Sequence, residues 1–303
     1  MKKKTISQQL KKSMPLYLLL LPSFLLLICF SYLPMSGLLM AFQDYRPALG
    51  LTGSKWVGLA NFRQFFHSYQ FKLTIRNTLV ISLYGILVGF PLPILLALIC
   101  NQMRAQRFKK VFQVITYLPH FISTMVMCGM ILIFLSPSVG IISHMLGKLG
   151  IEMPNVLASA SAFPSVYVWT DVWQNLGWDS IIYLAALSGI DPTYYEAATM
   201  DGASRLQKMF YIDLPLLLPT AMILLILRAG NILSIGFEKV FLLQNTMNMM
   251  GSEIISTYVY KLGLVNQQYS LSTAVGLFNT VVNVLVLLLV NQISKKLTDS
   301  SLI

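Results

Sequence analysis

Residues 194–219 read YYEAATMDGASRLQKMFYIDLPLLLP. Glu196, Asp201, Arg205, Lys208 and Asp213 stand in this stretch, yet apolar sequence flanks it on both sides. Asp191-Pro192, just upstream, reads as a helix start, because Asp caps free N–H groups and Pro suits the first helical position. Thr193 to Met200 then form a short helix. Asp201-Gly202 breaks it, since glycine adopts backbone angles that other residues avoid. Asp201 or Ser204 caps a second short helix that reaches Tyr211, and Leu214-Pro215 opens the apolar segment beyond. Ala197 and Ala198 carry so little bulk that another surface can approach the backbone closely. Local chemistry leaves two readings open: an ordinary amphipathic loop, or a docking segment.

The surrounding chain decides where this segment lies. Of its 303 residues, 56% are hydrophobic and only 11% charged, with a mean hydropathy of +0.68. An average soluble domain carries about a quarter charged residues, so this chain has too few to cover a water-facing surface. Its long apolar runs predict an all-helical integral membrane protein. The net charge of +11 sits mostly in loops between apolar segments, which fits the topology bias of membrane proteins rather than a nucleic-acid surface. Cys29, Cys100 and Cys128 are isolated, with no spacing that points to a disulfide framework or a metal site.

A spanning helix needs about 20 apolar residues. Six segments qualify: 16–40, 78–100, 111–135, 163–187, 214–235 and 271–290. The fourth is the least apolar, because it holds Asp171, Gln174, Asn175 and Asp179. The first is too long for a signal-peptide core and lacks a small-residue cleavage site, so it reads as an uncleaved span. With the N-terminus inside, the inner segments carry 13 Lys and Arg and the outer loops 8. That asymmetry predicts both termini in the cytoplasm and puts the 194–219 stretch on the cytoplasmic side.

Glu196-Ala197-Ala198, then Gly202, then Ile212 and Leu214-Pro215 carry a specific spacing. It resembles the signature loop of permease subunits of ATP-binding-cassette (ABC) importers: EAA, three residues, Gly, nine residues, Ile, one residue, Leu-Pro. Further blocks extend the resemblance over almost the whole chain: YLPMSGLLMAFQDY (32–45), SKWVGLANF (54–62), YLPHFIS (117–123), GWDSIIYLAALSGIDP (177–192), GFEKVFLLQN (236–245) and STYVYKLGL (256–264). Together they are similar to carbohydrate importers of the maltose type, within them to permeases for oligosaccharides released from complex polysaccharides.

The resemblance implies a type I importer permease fold. Residues 1–15 would be a cytoplasmic tail, 16–73 the first span with its outer loop, 74–291 the transmembrane domain with its EAA loop at 190–213, and 292–303 a second cytoplasmic tail. It also implies that Glu196, Ala197, Ala198, Asp201, Gly202, Ala203, Leu214 and Pro215 couple the chain to a cytoplasmic ATPase dimer. The implied partners are a second homologous permease, an extracellular solute-binding protein and a sugar cargo, without nucleic acid. One position departs from the family pattern. An acid is expected where Ser256 stands, so no carboxylate role is carried over there.

The chain has no GxxxxGK[ST] phosphate loop and no nucleophile–base constellation; His67, His120 and His144 are scattered. The expectation is therefore a non-enzymatic subunit without a cofactor, with ATP and Mg²⁺ bound by the partner ATPase.

An oligosaccharide needs polar partners and flat apolar faces along its path. Asp171, Asn175 and Trp178 share one face of the fourth span, with Gln174 beside it; Asn279 and Asn283 share a face of the sixth. Such residues either meet substrate or hydrogen-bond between helices, and Trp169, Trp173 and Trp178 are stacking faces or interface anchors. Arg228, in the fifth span, costs about 2.5–3.5 kcal/mol at a central position. Equal depth predicts that it pairs with Asp171, directly or through substrate, or else with an acidic sugar. Gly85 and Gly89 form a GxxxG, suited to close helix packing within the chain or at a subunit interface. Pro119-His120 falls near the middle of the third span, where Pro bends a helix and frees backbone groups; His120 is either packed or a ligand. The competing class is an ion-coupled secondary carrier, which favours internal inverted repeats; no convincing repeat is present. A non-transporting scaffold is the third reading, and the polar fourth span speaks against it.

Overall fold

The computed structural model describes residues 6–103 and 105–298. Lys2, Lys3, Lys4, Arg104 and the end of the 292–303 tail lie outside the described residues. Helix α1 (Ile6–Leu27) runs on through a π turn and a 3₁₀ stretch to Phe42, with the apolar side chains between Met14 and Leu27 exposed as a lipid-facing helix requires. A small antiparallel pair, Gln43–Asp44 with Lys55–Trp56, follows and was not expected from the sequence.

Helices α2 (Tyr69–Gly89) and α3 (Pro91–Asn101) form one long apolar run with a break at Phe90. Pro93 explains the break, since it has no N–H for the carbonyl of Gly89 four residues earlier. Helices α4 (Gln106–Tyr117) and α5 (Thr124–Phe134) replace the single straight segment expected over 111–135. They are bent by 98° at a 3₁₀ turn holding Pro119 and His120, with Ser123 capping α5.

Helix α6 (Phe163–Ser188) is the centre of the bundle, with α2 and α3 along one side and α4 on another. Gly177 permits the α4 approach: a Cβ there would lie 2.1 Å from the Thr116 carbonyl oxygen. The signature segment follows as α7 (Pro192–Met200) and α8 (Arg205–Lys208). A π turn, Met209–Asp213, joins α8 without interruption to α9 (Leu214–Gly230). Helix α9 ends at Gly230, five residues short of the expected end at 235. Helices α10 (Phe237–Leu243) and α11 (Ile255–Tyr260) fold back beside α5 and α2, and α12 (Tyr269–Thr298) closes the bundle.

Among the described residues, four helical runs are long and apolar enough to cross a membrane, and the bent α4–α5 pair is a fifth if counted as one span. Three apolar clusters hold the bundle. One gathers Ile81, Met127 and Val168; another Leu98, Leu187 and Leu217, near the signature segment; the third Phe65, Leu271 and Val275.

Candidate functional site

The signature segment is an exposed helix–turn–helix. Asp191 accepts from the Thr193 amide at 2.9 Å, and this bond holds its carboxyl below the usual range. Gly202 turns the chain at φ +73°, the left-handed region that a side chain resists. Of the two expected caps it is Ser204 that serves: its amide donates to Gln207 Oε1 at 2.7 Å while Gln207 N donates back to Ser204 Oγ at 3.3 Å. Lys208 Nζ donates to Thr199 Oγ1 at 2.6 Å and ties the two arms together.

Glu196, Ala197, Asp201 and Gly202 are exposed, Ala198 and Ala203 half-buried. Among the described residues nothing pairs with the Glu196 carboxylate. Met200 and Tyr211 are 89% and 80% exposed, more than most large apolar side chains of this protein. A segment that leaves such groups uncovered, beside a small-residue strip, has the chemistry of a docking surface.

The base of the segment is the opposite in character. Asp213 is fully buried and accepts from Gln102 Nε2 at 2.7 Å, from Asn101 Nδ2 at 3.4 Å and from the Tyr195 hydroxyl. Burial, reinforced by the bond to Asp213 and its charge, pushes the Tyr195 phenol up to about 12.

The second group of polar residues lies along α6. The predicted Arg228–Asp171 pair does not form. Arg228 pairs with Asp179 through Nη2 and donates from Nη1 to the Gly89 carbonyl at 3.0 Å. Equal residue counts misplace Arg228 because α9 does not end level with the Phe163 end of α6: it stops at Gly230, and this end lies opposite the middle of α6, where Asp179 stands. A cation there also meets the negative end of the helix dipole. Asp171 instead faces Lys239 at 3.4 Å. Lys239, which charge counting places in an outer loop, is buried: its Nζ donates to the Tyr167 carbonyl at 3.2 Å and stands 4.8 Å from the Tyr167 ring centre.

Several expected pathway residues serve the backbone. Gln174 Nε2 donates to the Ile122 carbonyl at 2.9 Å, at the break between α4 and α5. Asn283 accepts from the Leu233 amide at 3.0 Å and donates to Ser234 Oγ at 2.8 Å, just past the end of α9. Asn279 Oδ1 is buried with no partner among the described residues, and so is Ser256 Oγ. Gly89 meets Arg228 and Val172, so this end of the GxxxG packs inside the chain.

What remains open to solvent is a smaller set. Asn175 donates to the Asp171 carboxylate at 3.3 Å and accepts from His120 Nδ1 at 2.9 Å, an arrangement that requires the Nδ1–H tautomer. The His120 ring lies flat on Trp178, centroids 4.4 Å apart and 5° from parallel. Beside Trp178 runs a cleft of about 560 Å³ lined by Asp179, Ile182, Leu227, Arg228 and Asn231. Asp179 and Asn231 were missed as site residues; the i, i+4, i+8 spacing of Asp171, Asn175 and Asp179 was the signal for the first. A second cleft of about 560 Å³ lies where α2 begins, lined by Tyr69, Lys72, Arg76, Asn77 and Ser161. No acid lines it, and Lys72 and Arg76 have no ion-pair partner among the described residues.

A bundle of apolar helices with a polar ladder inside and an exposed helix–turn–helix has the architecture of the membrane part of a transporter. The chain belongs to the family of binding-protein-dependent transport system inner membrane components, whose pattern matches residues 89–299, and it is a permease subunit of an ABC importer, not an ion-coupled carrier. It is 41% identical over 301 residues to the polygalacturonan/rhamnogalacturonan transport system permease protein YteP of Bacillus subtilis (strain 168), covering 99% of this chain and 94% of that protein. It is 30% identical over 294 residues to the arabinooligosaccharides transport system permease protein AraP of the same organism, covering 96% and 90%. Among solved structures it superposes with a TM-score of 0.91 and 40% identity on a chain of a bacterial ABC transporter involved in the import of the acidic polysaccharide alginate, covering 97% of this chain and all of that one.

Proposed function

We propose that this permease moves an acidic oligosaccharide through a six-span fold with both termini in the cytoplasm. The count adds α6 to the four apolar runs and the bent pair. At about 1.5 Å per residue its 26 residues reach about 39 Å, beyond the ~30 Å hydrocarbon core. The orientation rests on 13 basic residues inside against 8 outside. Residues 1–15 and 292–303 are the cytoplasmic tails in this reading, and 74–291 the transmembrane domain behind the first span and its loop at 16–73.

The exposure of the signature helix–turn–helix is the observation that carries the coupling mechanism. Glu196 and the apolar knobs Met200 and Tyr211 meet the ATPase, Ala197 and Ala198 allow close approach, and Gly202 with Asp201 and Ala203 sets the elbow. Leu214-Pro215 passes the motion to α9. ATP and Mg²⁺ stay with the ATPase dimer, and this chain performs no chemistry of its own. A second homologous permease completes the pathway, and an external solute-binding protein delivers cargo, as in the alginate transporter solved with its pentasaccharide-bound periplasmic protein. Closure of the ATPase pair drives α7 and α8, and the spans rock between inward- and outward-facing states.

Along the path, Trp178 on its His120 support is a stacking face for a sugar ring, with Asn175 and Asn231 in reach of hydroxyls. Asp171, Gln174, Arg228 and Asn283 shape the pathway from behind, by fixing helix ends. An acidic cargo is favoured by the unpaired Lys72 and Arg76 at the outer cleft and by relatives whose names specify polygalacturonan and alginate. Uptake into proteoliposomes holding the whole complex tests this. Oligogalacturonate trimers should enter with internal ATP and persist when ion gradients are collapsed. Preference for neutral maltotriose, or uptake that follows a proton gradient without ATP, would contradict it.

A further inference from the structure

The base of the docking segment holds an arrangement that the signature spacing does not specify. Asp213 has no exposed surface and, among the described residues, no cation beside it. Its carboxylate is held by three neutral side chains drawn from two other elements. Tyr195 comes from α7, one residue before Glu196. Asn101 and Gln102 come from the C-terminal end of α3. Asp213 itself ends the π turn between α8 and α9.

That turn has a local cause. Pro215 has no N–H for the Tyr211 carbonyl, and the backbone widens so that the Leu214 amide reaches the Met209 carbonyl. The widened turn carries Asp213 inward while Tyr211 stays on the surface. Asn101 Nδ2 also lies 3.5 Å from the Tyr195 hydroxyl, which closes the group into a ring. A buried carboxylate is costly unless fully hydrogen-bonded, so this ring holds together or comes apart as a unit.

We propose that Asp213 is a mechanical joint, a positioning residue that couples displacement of α7 simultaneously to α9 and to α3. The inference rests on the reading of 190–213 as the ATPase-docking segment. Backbone continuity alone links α7 and α8 to α9, and nothing in it links them to the second span. The Tyr195–Asp213–Gln102 bonds supply that second route. Helix α3 lies along α6, and its neighbour Gly89 holds Arg228 at the far end of α9. One displacement at the docking segment therefore reaches α9 at both of its ends.

The test uses the complete importer in proteoliposomes, without native cysteines, carrying Asn231→Cys in the cleft. Labelling of that cysteine by a membrane-impermeant maleimide is measured with and without ATP and vanadate, beside the ATP hydrolysis rate. The quantity read is the nucleotide-dependent rise in labelling per unit of hydrolysis. Tyr195→Phe and Gln102→Leu each remove one bond and are expected to cut that ratio about 3- to 10-fold, the effect of about 1 kcal/mol per bond. Asp213→Asn should cut it further. A purely structural role would lower the yield of complex and leave the ratio unchanged, which overturns the proposal, as does an unchanged ratio at full yield. Should Asp213→Asn fail to assemble, the two single-bond variants decide. Failure of the underlying docking reading has a different signature: bound ATPase would be retained in full when Glu196→Lys or Gly202→Asp is introduced, and the joint would fall with it.

Discussion

Arg228 Nη1 donates at 3.0 Å to the carbonyl of Gly89, the group that Pro93 leaves without a helical partner. Its second nitrogen pairs with Asp179. One guanidinium thus joins the break between α2 and α3, the middle of α6 and the end of α9. Arg228→Lys keeps the charge and loses the fork, which should cost about 1–3 kcal/mol through the orphaned carbonyl. Thermal unfolding of the purified complex reads this. Combining Arg228→Gln with Asp179→Asn should be clearly non-additive, by about 0.5–3 kcal/mol, while Arg228→Gln with Asp171→Asn should be additive within about 0.5 kcal/mol.

The Lys239–Asp171 pair is asymmetric, with the lysine side chain 6% exposed and the carboxylate 47% exposed. Removing the acid leaves a buried cation with only the Tyr167 carbonyl and ring; removing the lysine leaves a carboxylate that water reaches. Asp171→Ala should therefore lower the melting temperature more than Lys239→Met, although both break the same contact. Equal losses would place the cation in better contact with water than its burial states.

Gln174 and Trp178 stand four residues apart on α6 with opposite jobs. Gln174→Leu strands the Ile122 carbonyl and should cost about 1–3 kcal/mol of stability. Trp178→Ala loses its contacts with His120 and Phe121, about 0.5–1.5 kcal/mol per ring pair, and should weaken uptake beyond that stability loss by removing the stacking face. Melting curves and uptake assays on the same two preparations separate the roles.

The Tyr195 phenol is raised from its ordinary 10.0 to about 12. A raised value means that the folded state holds the proton more tightly than the unfolded chain. The stability it contributes is complete below pH 10 and is lost as the pH climbs from about 10 to about 12. Tyr195→Phe should remove that part of the alkaline decline. A decline identical in both proteins would contradict the raised value, which burial and then the bond to Asp213 produce.

The signature segment was legible almost residue by residue, because caps, elbows and helix starts are local chemistry: Asp191, Pro192, Gly202 and Ser204 each act within four residues of themselves. Four apolar runs were legible by length, while the third segment, expected as one straight span, is the bent α4–α5 pair. Pairing among polar residues inside the bundle was not. Arg228 was matched to the wrong acid because the end of its helix was set at 235 and taken to lie level with the Phe163 end of α6; Gly230-Asn231 was the local stop signal, but how deep that end sits in the bundle is a matter of tertiary packing. Lys239 looked like a loop charge for the same reason. Gln174 and Asn283 resembled substrate ligands because a side chain that satisfies a broken helix and one that meets a hydroxyl have the same composition. Prolines at 93, 119 and 215 were the available clue: each frees or displaces a backbone group near which a polar side chain of the bundle is found.

The central claim, that 190–213 is where energy enters this permease, is tested most directly by ATPase retention. Tagged permease carrying Glu196→Lys or Gly202→Asp is purified with its partner subunits, and bound ATPase is quantified. The account predicts that the second permease is retained at normal levels while bound ATPase falls at least about tenfold, as expected for a loss near 1.4 kcal/mol or more at a docking surface. Full retention of the ATPase in both variants, with ATP-driven uptake intact, would contradict it.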